Sequence, residues 1–218
     1  MKLYQSFATV GGMTMLSRVL GFVRDVMIAA VLGTGPVADA FFVAFRFPNL
    51  FRRLFAEGAF NAAFVPLFAR RLEGQGREAA RKFAQEALAA LTAVLLILTA
   101  VAELTMPGLM YVIAPGFAGT PDKYDLAVQL TRIAFPYLLC VSLVALFSGV
   151  LNALGKFALA AFAPVLLNVV FIIVLGGLSL AGTRGTPDAG VALAWAVFVG
   201  GFVQLGALLI GIRREGMG

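Results

Sequence analysis

The sequence has 218 residues, of which 61% are hydrophobic and only 13% are charged, so its composition excludes an ordinary soluble globular domain. The formal net charge of +6 raises the possibility of a nucleic-acid ligand, but in so apolar a chain basic residues are first expected to set membrane topology. Apolar runs such as 87–102 and 158–182 approach bilayer length and lack the period-2 alternation of a membrane barrel. The sequence therefore predicts an all-α integral membrane protein.

Six transmembrane helices follow from the lengths of the apolar runs and the Gly and Pro residues between them. We place them near residues 6–32, 37–69, 84–112, 126–154, 158–182 and 190–212. The first is interpreted as a retained helix and not a signal peptide, because it continues past Arg18 without a small-residue cleavage site. The connection at 70–83 is expected to form an amphipathic surface turn or a short interfacial helix.

The connections between these helices alternate in charge. Only Lys123 and Arg184 fall on one side, whereas nine basic residues fall on the other: Lys2, five between residues 70 and 82, Lys156, Arg213 and Arg214. By the positive-inside rule, both termini are predicted to lie in the cytoplasm.

The first helix carries three charges, Arg18, Arg24 and Asp25. An arginine at the centre of a span costs about 2.5–3.5 kcal/mol on insertion scales, so Arg18 is expected to face water, a partner charge or an anion. Asp25 lies about 20° from Arg18 on a helical wheel, whereas Arg24 projects about 120° away. Both arginines can reach one site if the helix bends at Gly21 or the cavity is wide. A purely structural Arg18–Asp25 ion pair is the alternative.

The second helix repeats this pattern with a stripe of charges that lie within about 40° of one another: Asp39, Arg46, Arg53 and Glu57. Arg52 projects away from the stripe on an ideal helix, so its direction depends on a bend at Pro48. Two neighbouring helices with charged stripes define a polar cleft. Arg132, by contrast, is expected to extend from a helix end towards the membrane surface.

Clustered arginines in a membrane cavity favour a diphosphate ligand, since guanidinium groups are forked, permanently charged donors. The carboxylates Asp25, Asp39 and Glu57 are expected to hold the arginines or to exchange partners. The amides Asn152, Asn168 and Gln204 are interpreted as forming hydrogen bonds between helices. Cys140 has no second cysteine to pair with, and the chain contains no histidine. We therefore expect no catalytic centre, metal site or cofactor.

Several segments resemble the MurJ (MviN) family of lipid II flippases, within the multidrug, oligosaccharidyl-lipid and polysaccharide exporter superfamily. They are "MTMLSRVLGFVRD", "ADAFFVAFRFPNLFRRLFAEGAFNAAFVPLFA", "APGF" at 114–117, "FAPVLLN" at 162–168 and "ALAWAVFVGGFVQL" at 192–205. The resemblance extends over essentially all 218 residues, and its first two segments are specific to that family.

The resemblance implies one lobe of a two-lobe transporter in the bacterial inner membrane, with the second lobe absent from this chain. Such a protein moves lipid II, the undecaprenyl-diphosphate-linked peptidoglycan precursor, from the inner to the outer leaflet by alternating access. Its substrate contacts match Arg18, Arg24 and Arg52, with supporting or switching roles for Asp25, Asp39, Arg53 and Glu57. The expected partners are lipid II, membrane lipids and the missing C-terminal lobe, and no nucleic acid.

Two alternatives remain open from the residues. A flippase for another polyprenyl-linked glycan or a cation-coupled drug exporter would share the fold, although a drug exporter is expected to show carboxylates without this excess of arginine. A non-transporting membrane scaffold would tolerate loss of the arginines but not changes on its lipid-facing surface.

Overall fold

The computed structural model describes residues 2–52 and 60–217, and every regular element in these ranges is a helix. Seven α-helices occur, with a short 3-10 helix at Pro115–Phe117 between the third and fourth: α1 (Lys2–Leu32), α2 (Pro36–Arg52), α3 (Phe60–Ile113), α4 (Pro121–Ala134), α5 (Tyr137–Ala153), α6 (Phe157–Ala181) and α7 (Pro187–Arg214). Four stretches of the described chain are long and apolar enough to cross a membrane: Ala62–Ile113, Pro121–Ala153, Phe157–Ala181 and Pro187–Arg214. The prediction of an all-α membrane protein is confirmed at this level.

The predicted connection at 70–83 is helical on both sides of a single break. Gly76 has φ 86° and ψ 178° inside α3, a conformation that residues with a Cβ rarely adopt. The helix predicted near 84–112 is therefore the last part of a longer element. Of the helix predicted at 37–69, residues 36–52 belong to α2 and residues from 60 onward to α3, while 53–59 lie outside the described residues.

The single helix predicted at 126–154 is divided into α4 and α5 at Pro136. Proline has no N–H group for a helical hydrogen bond and its ring crowds the preceding turn. The turn at Pro136 is tighter than an α-helical turn. The Leu138 N–H donates to the carbonyl of Phe135, three residues back instead of four, at 2.9 Å. The two helices together still form one apolar span, Pro121–Ala153, which is the most buried of the four.

Helix α7 packs against α2, α4, α5 and α6. Helix α1 lies mainly along α6, and α3 lies along α5. The close approach of α7 to its neighbours depends on small residues. Gly200 faces Leu167 of α6, and Gly201 faces Tyr137 and Cys140 of α5. The outer face of α3 is apolar and open, with Leu104 82% exposed. That face suits lipid contact.

Three parts of the chain meet at one end of the bundle: the break in α3, the α5–α6 connection and the segment after α7. Glu215, which follows α7, accepts an ion pair from Lys156 at 2.9 Å, and its main-chain carbonyl accepts a hydrogen bond from Arg77. Arg77 follows the break in α3, and Lys156 lies between α5 and α6. The connections predicted to be rich in basic residues therefore lie together.

The connections at 33–35, 114–120 and 182–186 lie near one another at the opposite end, since the length of α7 separates Gly185 from Glu215. The Gly185 N–H donates to the Val31 carbonyl at 2.8 Å, which joins the segment before α7 to the end of α1. Lys123 of α4 pairs with Asp39 of α2 at 2.5 Å. These described connections therefore lie at two opposite ends of the bundle.

Candidate functional site

A cleft of about 900 Å³ lies between α1, α2, α5, α6 and α7. Apolar residues of α5 and α6 form much of its wall. Its long polar side chains are three arginines and three amides: Arg18, Arg24, Arg46, Asn49, Asn168 and Gln204. Among the described residues that line it there is no carboxylate, so this described lining is cationic.

Arg24 is held by partners on two helices and is 19% exposed. Its Nε and Nη2 donate to Oδ1 of Asp25 at 3.0 and 2.8 Å. Its Nη1 donates to Oδ1 of Asn168 on α6 at 2.9 Å. The guanidinium also lies over the ring of Phe171, with 5.6 Å between its central carbon and the ring centroid. These contacts fix both the position and the plane of the charged group.

Arg18 lines the same cleft, although the wheel placed the two arginines about 120° apart. Helix α1 is uninterrupted at Gly21, and the cleft of about 900 Å³ is wide enough to be lined by both side chains. The alternative Arg18–Asp25 ion pair is wrong, because Asp25 binds Arg24. No described residue forms a hydrogen bond or ion pair with Arg18.

Arg46 of α2 also lines the cleft. The sequence placed Arg46 on the charged stripe of the second helix but did not predict it as a substrate contact. Its position on that stripe was the signal that could have identified it as a cleft residue. Within the described part of the chain it has no hydrogen-bond or ion-pair partner. As far as the described residues extend, the donors of Arg18 and Arg46 are therefore available to a ligand.

The other site residues predicted on the second helix either lie away from the cleft or fall outside the described residues. Asp39 lies in the first turn of α2 and pairs with Lys123, so it does not join Arg46 at the cleft. Arg52 ends α2, but its side chain is outside the described residues, as are Arg53 and Glu57. Arg132 is exposed on α4 and does not line the cleft.

Of the three amides predicted to bridge helices, Asn168 and Gln204 do so, whereas Asn152 is exposed on α5. Gln204 of α7 donates from Nε2 to the Ala163 carbonyl of α6 at 2.8 Å. Asn168 of α6 donates from Nδ2 to the Ser17 carbonyl of α1 at 3.0 Å. Unlike Gln204, Asn168 also binds an arginine, because its Oδ1 accepts a hydrogen bond from Arg24.

These side chains suit an anion with several oxygen acceptors that carries or approaches an apolar group. Guanidinium groups supply the donors, and the walls of α5 and α6 supply apolar surface. The described residues contain no group of three or more Asp, Glu or Cys side chains placed to bind a metal ion.

A model of the lipid II flippase MurJ family matches residues 28–218 of this chain. The chain belongs to this family. The resemblance carried by the sequence motifs is therefore confirmed. MurJ proteins are flippases, which are membrane transporters and not enzymes.

Individual MurJ relatives match the whole chain. A probable lipid II flippase MurJ of Rhizobium tropici is 51% identical over 218 residues, covering 100% of this chain and 41% of that protein. The lipid II flippase MurJ of Burkholderia cenocepacia is 42% identical over 220 residues, again covering 41% of the relative. The chain thus spans less than half the length of these relatives.

A solved structure titled lipid II flippase MurJ, inward closed conformation, has the same fold, with a TM-score of 0.68 at 26% identity. The match covers 91% of this chain and 41% of the solved chain. Together with the apolar helices, the MurJ membership makes this chain a multi-pass protein of the bacterial inner membrane.

Proposed function

We propose that this chain forms the N-terminal lobe of a lipid II flippase, which moves the undecaprenyl-diphosphate-linked peptidoglycan precursor from the inner to the outer leaflet. The observation that carries the proposal is the arginine-lined cleft in a chain of the MurJ family. A diphosphate needs several cationic donors, and a polyprenyl chain needs apolar surroundings. One lipid-linked diphosphate satisfies both the cationic cleft and its apolar walls.

The proposed lobe has six membrane-spanning helices and cytoplasmic termini. In this arrangement α1 is the first span, α2 and the first turns of α3 form the second, and α3 after Gly76 forms the third. The cluster of Arg77, Lys156 and Glu215 at one end supports this topology, since the connections there carry most of the basic residues.

The proposed diphosphate contacts are Arg18, Arg24 and Arg52. Arg18 is supported by its position in the cleft, where no described residue binds its guanidinium, and Arg24 by its fixed guanidinium. Arg52 rests on the family motif. Arg46 lies close enough to the same cleft to be a fourth contact. The proposed supporting or switching partners are Asp25, Asp39, Arg53 and Glu57.

During alternating access, Arg24 is proposed to exchange its partner between the Asp25 carboxylate and the diphosphate. With no ligand bound, Asp25 neutralises Arg24. An entering diphosphate competes with the carboxylate for the guanidinium, and re-formation of the Arg24–Asp25 pair helps to release the headgroup on the other side. A central site of this kind alternates between two lobes, so the proposal requires a C-terminal lobe as the opposite wall.

Complementation by a chimera tests the proposed function. These 218 residues replace the matching 41% of the Rhizobium tropici relative, and the chimera is expressed in cells depleted of their own lipid II flippase. We expect growth to be restored by the unchanged chimera but not by Arg18→Ala, Arg24→Ala or Arg52→Ala at equal membrane abundance. Arg184→Ala is the matched control, because Arg184 is exposed and distant from the cleft.

Two results would contradict the proposal in different ways. Rescue by all three arginine variants would show that the arginines are structural and that the diphosphate assignment is wrong. No rescue by a correctly inserted, unchanged chimera would show that the lobe does not serve lipid II.

A further inference from the structure

We propose that Asn168 is a positioning residue that fixes the Arg24 guanidinium for diphosphate binding. The identity of the ligand rests on the proposed function, whereas the positioning of Arg24 does not. Asn168 is only 5% exposed and lies on α6, while the arginine that it orients lies on α1.

The amide of Asn168 can satisfy its two partners in only one orientation. A guanidinium donates hydrogen bonds and cannot accept them, and a main-chain carbonyl accepts and cannot donate. Oδ1 must therefore face Arg24, at 2.9 Å from Nη1, and Nδ2 must face the Ser17 carbonyl, at 3.0 Å. Because Ser17 lies two turns before Arg24 on α1, the amide ties the guanidinium to the backbone of its own helix.

Arg24 retains donors after these bonds are made. Asp25 accepts from Nε and Nη2, and Asn168 accepts from Nη1. A guanidinium has five N–H groups, so an N–H remains on each terminal nitrogen. The Phe171 ring lies against the group at 5.6 Å. The remaining donors are thus held in a defined plane, which lowers the entropy cost of binding a phosphate group.

The other two cleft arginines lack this support. Within the described residues, neither Arg18 nor Arg46 has a hydrogen-bonding or ionic partner. Each must lose side-chain freedom when it binds an anion. Among the three described cleft arginines, Arg24 is therefore the preorganised donor, and Asn168 holds it in place from across the α1–α6 interface.

Asparagine is better suited to this position than its close analogues. An aspartate at 168 accepts from Arg24 but cannot donate to the Ser17 carbonyl when ionised. It also adds a negative charge to a cleft whose described lining has none. A leucine of similar volume removes both hydrogen bonds.

Arginine side-chain NMR of the 218-residue chain in detergent micelles tests the positioning directly. The Arg24 Nη1–H signal, assigned by its loss in Arg24→Lys, is expected to be narrow and protected from solvent exchange, because Nη1 is the nitrogen that donates to Asn168. We expect Asn168→Leu to abolish this protection. Gln204→Leu is the matched control, because it removes another buried interhelical amide bond without touching an arginine, and it should leave the Arg24 signal unchanged.

Calorimetric titration with inorganic diphosphate tests the consequence for binding. We expect Asn168→Leu to weaken binding by about tenfold, and Asn168→Asp to weaken it at least as much although it keeps the Arg24 signal protected. Asn152→Leu, an exposed amide of α5 outside the cleft lining, should leave the affinity unchanged.

The outcomes separate the two proposals. An Arg24 signal that stays protected in Asn168→Leu overturns the positioning role, whatever happens to binding. Equal affinity of Asn168→Leu and the unchanged chain overturns its part in diphosphate binding. Failure of the unchanged chain to bind diphosphate contradicts the ligand of the proposed function, while the NMR comparison still decides the role of Asn168.

Discussion

At the scale of single residues, Asp25 competes with an anionic ligand for Arg24. Its carboxylate accepts two charge-assisted hydrogen bonds from the guanidinium, and both must weaken before a diphosphate can take those donors. Asp25→Asn is therefore expected to strengthen inorganic diphosphate binding by about threefold to tenfold, because a neutral amide competes less well. In the chimera the same change should slow growth, since the competing charge that helps release is lost.

The control for this prediction is Asp188→Asn. Asp188 is an exposed carboxylate in the first turn of α7 and lies outside the cleft lining, so its loss should leave diphosphate affinity unchanged. Calorimetric titration of both variants measures the difference. Unchanged or weaker binding by Asp25→Asn would mean that Asp25 supports the ligand site and does not compete with it.

The sequence predicted the types of cleft residues better than their partners. Arg18 and Arg24 were both predicted and both line the cleft. The wheel nevertheless paired Asp25 with Arg18, because it gives only the direction in which a side chain leaves its helix. The long Arg24 side chain folds back to its neighbour in sequence. Its second partner, Asn168, lies 144 positions away, and helical periodicity carries no information about such a contact.

At the scale of helices, apolar length predicted where the chain is helical but not how each helix is interrupted. Gly76 and Pro136 both occur at breaks, whereas Pro48, Pro66, Pro107 and Pro164 lie inside continuous helices. Proline and glycine lower the cost of a break. Whether the helix breaks there depends on packing against its neighbours, which a single sequence does not specify.

The α5–α7 interface makes a prediction at this scale. A Cβ at Gly201 would lie 2.7 Å from Cδ2 of Tyr137 and 2.9 Å from Cβ of Cys140, and both residues are almost completely buried. Gly201→Ala should therefore force the helices apart and lower the free energy of unfolding by about 1–3 kcal/mol. Thermal unfolding in detergent micelles measures the effect.

Gly206 provides a control on the same helix. A Cβ at Gly206 has no neighbouring atom within 4 Å, so Gly206→Ala should be neutral or stabilise the helix by up to about 1 kcal/mol through better helix propensity. Equal destabilisation by both changes would attribute the effect to the loss of glycine itself and not to the close contact.

At the scale of the whole molecule, the cleft is a product of helix arrangement. Helix α1 lies along α6, and α2 lies near α4, α5 and α7. The two arginine-bearing helices thus approach one space from different sides, although a short connection joins them in sequence. Charged stripes predicted that a polar cleft exists. The apolar wall from α5 and α6, and the amides within it, required the tertiary structure.

The alternation of the two ends leads to a test of topology. Single cysteines are introduced by Gln75→Cys, Thr120→Cys or Arg184→Cys in a Cys140→Ala background. Position 75 lies beside the break in α3, and positions 120 and 184 lie at the other end of the bundle. All three native side chains are exposed. With cytoplasmic termini, a membrane-impermeant maleimide added to spheroplasts should label positions 120 and 184 but not 75. Position 75 should become reactive only after the membrane is permeabilised. Labelling of position 75 in intact spheroplasts would reverse the proposed orientation, and the cluster of basic residues around Glu215 would then need an explanation other than the positive-inside rule.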